Sequence, residues 1–564
     1  MEATYDYKRE RGLAFWFVLV AFLALAVGGL IGLFQALEHA AITPALQALN
    51  LYPLPIVGRY YQALTLHGVL NALVWTTFFI SGFLMITVAR SLNRPMKAMA
   101  LSWIGFVVMF VGVGLAGWAM LSGNANVLYT FYVPMRAHPL HYIGLTLVVV
   151  GTWFHSANHF LTWGAWRKEH PGEKTPIGTV AALTTWIVWD IATVGVAAEM
   201  LTMVIPWSMG LIENTNPLLA RTLFWYFGHP LVYFWLLPAY TSWYAMVPRQ
   251  AGGKLFSDPL ARLVFMLFIL FSVPVGLHHQ YTDPGISSAW KGVHGALTYA
   301  VTFPSLITAF TLMASLEYAG KQRGGKGLVR WILKLPWGDP SFTAQVFAMI
   351  LFAAGGISGV VNASYNVNLV VHNTTWVPGH FHLTVGSAAT LTFMGITYWF
   401  LPYITKRRLF SKPIALAQGV LWFIGMVIFG RGMHWAGLLG APRRTPFAQA
   451  IYTQVLIDNT ANRAFGGFQT AMMLVGIGGV ILVISGLFYF INVFGTLLVK
   501  KGTAEDVDVP LATALSGPEN APAVLDRWRV WIGGAIVLIL IAYVPSLISI
   551  IQASAWNAPG LLIR

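Results

Sequence analysis

The chain is predicted to be all-α: a polytopic membrane helix bundle of about thirteen transmembrane helices. Three observations predict it. Hydrophobic residues make up 57% of the 564 residues and charged residues only 9%, whereas a soluble globular chain is nearer a quarter charged. Apolar stretches of about 20 or more residues, the length that crosses a bilayer core, recur from end to end. The loops between them alternate in basic content.

The spans are expected at 13–37, 60–89, 98–121, 139–163, 177–206, 219–247, 259–281, 292–317, 342–362, 369–403, 413–440, 466–498 and 528–553. The first is too long for the core of a signal peptide and reads as a retained helix, preceded by Lys8, Arg9 and Arg11. Cations then follow the even-numbered spans. Arg90, Arg94 and Lys97 follow the second; Arg167, Lys168 and Lys174 the fourth; Arg249, Lys254 and Arg262 the sixth. Lys321, Arg323, Lys326, Arg330 and Lys334 follow the eighth; Lys406, Arg407, Arg408 and Lys412 the tenth; Lys500 and Lys501 the twelfth. The positive-inside rule places the N-terminus in the cytoplasm and the C-terminus outside.

The same bias accounts for the net charge of +15 without a nucleic-acid partner. Residues 502–525, with Glu505, Asp506, Asp508, Pro510, Gly517 and Pro518, read as a cytoplasmic linker before the last helix, so 1–564 forms a single membrane domain. No cysteine is present. That excludes a thiolate-ligated haem, an iron–sulfur cluster and a dithiolate copper centre within this chain; any such centre sits on a partner.

The tenth span opens with Trp376-Val377-Pro378-Gly379-His380-Phe381-His382. Two residues apart on a helix, His380 and His382 point about 200° away from each other, so one helix could hold a metal on each side. The competing reading is two histidines that pack or hydrogen-bond within a bundle. Topology brings more histidines to their level. At about 1.5 Å per residue, His67, His229, His278, His279, His380 and His382 all fall in the outer half of the membrane. Polar groups are expensive there and usually functional. His67 and His382 can supply the two imidazoles of a six-coordinate haem. His380, facing the other way, can be the single ligand of a five-coordinate haem. His229, His278 and His279 remain for a three-coordinate copper open toward that haem. His155 and His159, spaced i, i+4, read as bundle hydrogen-bonders rather than a metal pair, and His138 and His141 as interfacial residues.

His229, Tyr233, Tyr240 and Tyr244 share one face of the sixth span, and Ser305, Thr308 and Thr311 form a hydroxyl row on the eighth. Both rows lead inward from the metal histidines and read as a proton path, with Thr302 and Glu317 as uncertain members. Tyr233, one turn from His229, is placed to give a proton and an electron to a metal-bound oxygen. Arg443 and Arg444 lie on the outer side, where cations are scarce; haem propionates would explain them, with His372, Asp283 and Asn362 as further members of that network. A lipid headgroup is the alternative anion.

Gly228-His229-Pro230-Leu231-Val232-Tyr233, His278-His279 and the run from His372-Asn373 through His382 together resemble subunit I of the heme–copper oxygen reductases, the cytochrome c oxidase superfamily, over essentially the whole chain. The resemblance implies that His67 and His382 bind a low-spin haem, His380 a high-spin haem, and His229, His278 and His279 the copper called Cu-B. It also implies a covalent link between Tyr233 and His229. Leu231 stands where members of the A family usually carry a glutamate, and the tyrosine–hydroxyl set resembles the single proton path of the B family, whose members include ba-type oxidases; that implies a b-type low-spin and an a-type high-spin haem. Asn368 departs from the aspartate expected beside a propionate. The implied activity is reduction of O2 to water with proton uptake and pumping. Electrons would come from cytochrome c through a subunit II carrying a dinuclear copper centre, or from a quinol, in the plasma membrane of a prokaryote.

Three rivals remain. Nitric oxide reductases of the same superfamily lack the helix-six tyrosine. A secondary transporter would account for the spans but not for six histidines at one depth. A dihaem quinol–cytochrome c reductase would need spaced histidine pairs on two helices.

Overall fold

The computed structural model describes residues 5–42, 57–461, 466–499, 501–553, 558–559 and 561–562; Lys500, counted above among the loop cations, lies outside them. Although the tenth, expected from 369, crosses a break at 372–375, all the predicted spans overlap helices. In chain order these are α1 (Lys8–Ala40), α2 (Tyr60–Ser91), α3 (Met99–Leu121), α4 (Pro139–Glu169), α5 (Ile177–Ser208), α6 (Pro217–Ala245), α7 (Asp258–Phe271), α8 (Ser288–Gln322), α9 (Pro340–Ala363), α10 (376–405), α11 (Lys412–Leu438), α12 (Phe468–Leu498) and α13 (Trp528–Gln552). Among the described residues nine of them, all but α4, α6, α7 and α10, are long and apolar enough to cross a membrane, which makes the protein a polytopic helical membrane protein.

The remaining four carry most of the polar residues singled out in the sequence. α4 holds buried His141, His155, Asn158 and His159, and α6 holds His229 and its tyrosines. α7 stops at Phe271, shortly before Pro274, whose ring and missing N–H cannot continue a helix; the predicted seventh span therefore ends in a 3-10 turn, Gly276–Gln280. α10 is widened by a π turn at Thr384–Ala389, directly after His382. α2 has the same feature at Val69–Trp75, directly after His67. Such turns are frequent at functional sites, although α5 carries another at Met200–Val204, away from these histidines. α8 is broken at Val301, ahead of Pro304.

The bundle turns apolar side chains outward, as a lipid-facing surface requires: Val107, Phe110, Leu306, Phe310, Ile357, Leu487 and Ile541 are all exposed. Inside, helices approach through small residues. On α3 and α4, Gly105 and Gly112 face Gly151 and Gly144, and a Cβ on Gly144 would sit 2.5 Å from the Gly112 carbonyl. Aromatic faces fill the wider gaps: Trp189 on α5 stacks on Phe234 of α6 at 4.0 Å.

The linker 502–525 is tied down rather than free. Ala514–Ser516 pairs in parallel with Leu255–Ser257. Its acids and Asp526 meet cations in or beside four loops: Asp508 with Arg90 at the end of α2, Asp526 with Lys174 and with Arg262 at the start of α7, and Glu505 with Lys406. Loops that follow the second, fourth, sixth and tenth helices thus gather at one end of the bundle, as the alternation of charge requires.

Replacing Gly144 by Val forces α3 and α4 apart and is expected to destabilise the protein by on the order of 1–3 kcal/mol. Gly114, on α3 with open space around it, should accept Val within about 0.5 kcal/mol. Thermal midpoints in detergent compare the two; equal midpoints would contradict the close-packed seam.

Candidate functional site

His67 and His382 face each other across the bundle. Their rings are nearly parallel, at 15°, with centroids 6.2 Å apart. That is too far for stacking. Two imidazoles sharing one metal through bonds of about 2 Å hold their centroids roughly 6 Å apart, so the spacing fits a single iron between them. The ring nitrogens are set for it. His67 Nδ1 lies 2.9 Å from the Gly28 carbonyl and His382 Nδ1 2.7 Å from the Pro378 carbonyl. A carbonyl only accepts, so Nδ1 carries the hydrogen and the Nε2 lone pair is free for a metal. Gly32 supplies the room: a Cβ there would meet His67 Cε1 at 2.7 Å. Both histidines line a cavity of ≈ 520 Å³, together with Arg443, Arg444, Tyr129 and Phe381.

His380 projects from the other side of α10, toward α9. Its Nδ1–H is shared between the Gly355 carbonyl at 2.9 Å and the Ser358 hydroxyl oxygen at 3.1 Å, which again leaves Nε2 free. The Ser358 hydrogen is committed to the Gly355 carbonyl at 2.7 Å. Gly359 clears the ring; a Cβ would meet His380 Cε1 at 2.9 Å.

His229 on α6 and His278 and His279 on the 3-10 turn converge, each with one ligand atom within 4.8 Å of the others. His229 Nδ1 is 3.1 Å from His279 Nε2. Two nitrogens bound to one metal at about 2 Å with tetrahedral angles are roughly 3.3 Å apart, so the donor set suits one small transition-metal ion. The other nitrogen of His229, Nε2, is 2.9 Å from the Tyr233 hydroxyl. His380 lies within electrostatic reach of all three histidines.

The two hydroxyl rows interlock. Tyr240 donates to Ser305 at 3.1 Å, and Tyr244 donates to Thr308 at 2.8 Å. Thr311 is buried one turn further along α8, and its carbonyl accepts from Ser315, a buried hydroxyl that extends the row and was missed in the sequence. Thr302 instead turns back to the Tyr299 carbonyl, and Glu317 pairs with Lys321 outside the row.

At the other end of the cavity, Arg444 donates to Thr130 at 3.1 Å and lies over the Tyr132 ring at 5.4 Å. Arg443 donates through Nε and a terminal nitrogen to Asn373 Oδ1, at 3.2 and 2.9 Å. Arg444 and Asn373 both take positive φ, 63° and 58°, an unfavourable conformation for side-chain-bearing residues that tends to be kept where function needs it. Burial, and then the adjacent Arg444, pull the Arg443 guanidinium down to about 10. Two neighbouring arginines so placed, with no carboxylate paired to either among the described residues, suit an anionic group in the cavity.

The other residues expected around the propionates have partners of their own within the protein. Asp283 pairs with Arg221 at 3.0 Å and accepts from Gln280 at 3.1 Å. The Asn362 carbonyl accepts from Asn368, whose own Oδ1 meets His372 Nδ1 at 3.0 Å. None of these three hydrogen-bonds to Arg443 or Arg444. Arg221 and Asn373 were missed because nothing local marks them; each matters through a partner far along the chain. His141 is fully buried rather than interfacial, and His138 caps α4 by accepting from the Leu140 N–H at 3.2 Å. His159 turns Nδ1 back to the His155 carbonyl of its own helix at 2.7 Å, whereas His155, expected to hydrogen-bond, has no partner for either ring nitrogen among the described residues and packs edge-on against Phe17.

The family model described as "Cytochrome C and Quinol oxidase polypeptide I" matches residues 12–481. A cytochrome c oxidase subunit 1 from Thermus thermophilus is 44% identical over 555 residues, covering 97% of this chain and 96% of that one. Another from Corynebacterium diphtheriae is 25% identical, covering 79% of this chain and 76% of that one. A chain in a cryo-EM structure of a heme-copper terminal oxidase dimer superposes with a TM-score of 0.90 at 36% identity, over 100% of this chain and 96% of its own.

Because His229, His278 and His279 are drawn from two elements and share one point, replacing any one by Ala should leave too few donors. The copper held by this chain, measured by elemental analysis and counted apart from any on a partner subunit, should fall to less than about half of the wild-type amount. Tyr244→Phe should leave it unchanged. Full copper in His278→Ala would contradict the shared site.

Proposed function

The chain belongs to the cytochrome c and quinol oxidase polypeptide I family and is the catalytic subunit of a terminal oxidase, and from that premise we propose which residues do the work. His67 and His382 hold a low-spin haem of b type. His380 holds a high-spin haem of a type. His229, His278 and His279 hold Cu-B. When bound, these groups carry the electrons and bind and reduce O2 to water. The single observation behind the assignment is the division of α10: His382 faces His67 across a one-metal gap while His380 turns to the other side, its Nδ1 held by α9. The Phe381 link between them keeps the two haem sites within short electron-transfer range.

The protein's own groups do the rest. Tyr233, hydrogen-bonded to His229 at 2.9 Å, can give up a proton and an electron beside the metal cluster. Tyr240, Tyr244, Ser305, Thr308 and Thr311, joined across α6 and α8, move protons toward it from the linker end of the bundle. A path of this composition, with Leu231 in place of a carboxylate, is the reason to place the chain nearest the B family. Arg443 and Arg444 clamp the propionates, with Asn373 fixing Arg443. Asp283, His372 and Asn362, one layer away, shape the field around that clamp.

In this reading all thirteen helices cross the prokaryotic plasma membrane, with the linker end in the cytoplasm, the N-terminus inside and the C-terminus outside. Electrons arrive from cytochrome c through a subunit II that carries a dinuclear copper centre, since this chain has no cysteine for one. A quinol donor is the alternative.

In the purified complex, His380→Ala should abolish the CO-binding spectrum and oxygen consumption while leaving the reduced low-spin haem band. Persistent CO binding would exchange or refute the roles of His380 and His382.

A further inference from the structure

The segment that carries two of the three clustered histidines has no regular structure of its own beyond one 3-10 turn, Gly276–Gln280. An irregular backbone inside a membrane protein must have its polar groups satisfied by neighbours. Here they come from helices on either side. On α13, the Tyr543 hydroxyl accepts from the Gly276 N–H at 2.9 Å and donates to the Val273 carbonyl at 3.3 Å. On α8, His294 Nδ1 accepts from the Leu277 N–H at 3.2 Å. Its Nε2 therefore holds the proton, and it donates to the Ala542 carbonyl of α13 at 3.0 Å. His294 thus ties α13 and the turn to each other.

The same array reaches a metal-cluster histidine directly. Thr298 gives its hydroxyl hydrogen to the His294 carbonyl at 2.6 Å. Its oxygen is then the acceptor for His278 Nδ1–H at 2.8 Å. That bond sets the tautomer of His278 and presents its Nε2 lone pair. The opposite wall is α6, where Trp225 lies flat on the His279 ring, 3.6 Å between centroids at 4°. Gly276 is pinched between the two walls: a Cβ there would overlap both the Trp225 carbonyl and the Tyr543 hydroxyl. Ile539, Ala542 and Tyr543 of α13 pack with Val273 and Leu277 in one apolar cluster.

α13 spans Trp528–Gln552, beyond residue 481 where the family match ends. We propose that Tyr543 and His294, with Thr298, are positioning residues for the copper ligands: through them α13 fixes the main chain of the 273–278 segment, and so the direction of His278. This rests on the reading of His229, His278 and His279 as copper ligands.

The test uses the purified oxidase complex carrying Tyr543→Phe, which removes one hydroxyl and keeps the ring against Tyr226 and His294. Thr298→Val and Thr298→Ser form a second pair, the latter keeping an acceptor for His278. Three quantities are read: the rate of copper loss to a chelator, the infrared band of CO photolysed onto copper, and the low-spin haem spectrum. Outer partners of metal ligands are typically worth about 10–100-fold in metal affinity. Tyr543→Phe and Thr298→Val should therefore lose copper at least about 10-fold faster and shift or broaden the copper–CO band, with the low-spin haem unchanged. Thr298→Ser should restore wild-type behaviour. Wild-type copper retention and an unshifted band in Tyr543→Phe would overturn the proposal. If Tyr543→Phe fails to assemble, as an absent low-spin haem band would report, Thr298→Val decides on the same two readings. A wild-type complex that contains both haems but no copper at this cluster would instead refute the copper assignment beneath it.

Discussion

The hydrogen bond from an imidazole Nδ1–H to a neighbouring acceptor inside the bundle is the interaction on which the site depends. It recurs at His67, His380 and His382, each time with a main-chain carbonyl, and at His278 with the Thr298 hydroxyl. In hydrocarbon surroundings an imidazole N–H without a partner is costly, so the bond is needed for burial alone. It also has a chemical consequence. Once Nδ1 is committed, Nε2 is the nitrogen left for a metal, and the ring can no longer rotate away. His229 and His279 are the exceptions: His229 Nδ1 meets His279 Nε2, and His229 Nε2 meets Tyr233, which links imidazole and phenol in one contact.

Space is the second requirement, and it is met by omission. Gly32 and Gly359 stand where any side chain would strike His67 or His380. The π turns that follow His67 and His382 widen α2 and α10 at the same level. Elsewhere the bundle closes tightly through glycine seams and stacked aromatics, so the ≈ 520 Å³ cavity between His67, His382 and the two arginines is a local feature rather than loose packing. The two hydroxyl rows use the same economy. Tyrosines of α6 reach hydroxyls of α8 directly, so a polar line runs through the apolar interior without a carboxylate.

Much of this was legible in the sequence because membrane topology converts position into depth. The alternation of loop cations oriented the spans, and six histidines then fell at one level. Periodicity alone put Tyr240 and Tyr244 on one face and Ser305, Thr308 and Thr311 on another, and the two faces do meet. What stayed hidden depends on pairing between distant segments. Nothing near Arg221 announces Asp283, and nothing near Asn373 announces Arg443. Depth put Asp283 and Asn362 at the rim of the two arginines, but it does not fix lateral position, and their own hydrogen-bond partners, Gln280 and Asn368, were not legible. The role of α13 was illegible for the same reason: as a sequence it is one more apolar span, and its meaning lies in a tyrosine hydroxyl against a turn 267 residues away.

In the proposed function this one chain holds two haem irons and one copper, on the two sides of α10. A pyridine haemochrome spectrum with elemental analysis of the purified complex decides it. Two chemically distinct haems are expected for each copper held by this subunit, with two further coppers when a dinuclear centre is present on the partner. A single haem type bound once per chain, or a complex with no haem absorbance, would contradict it.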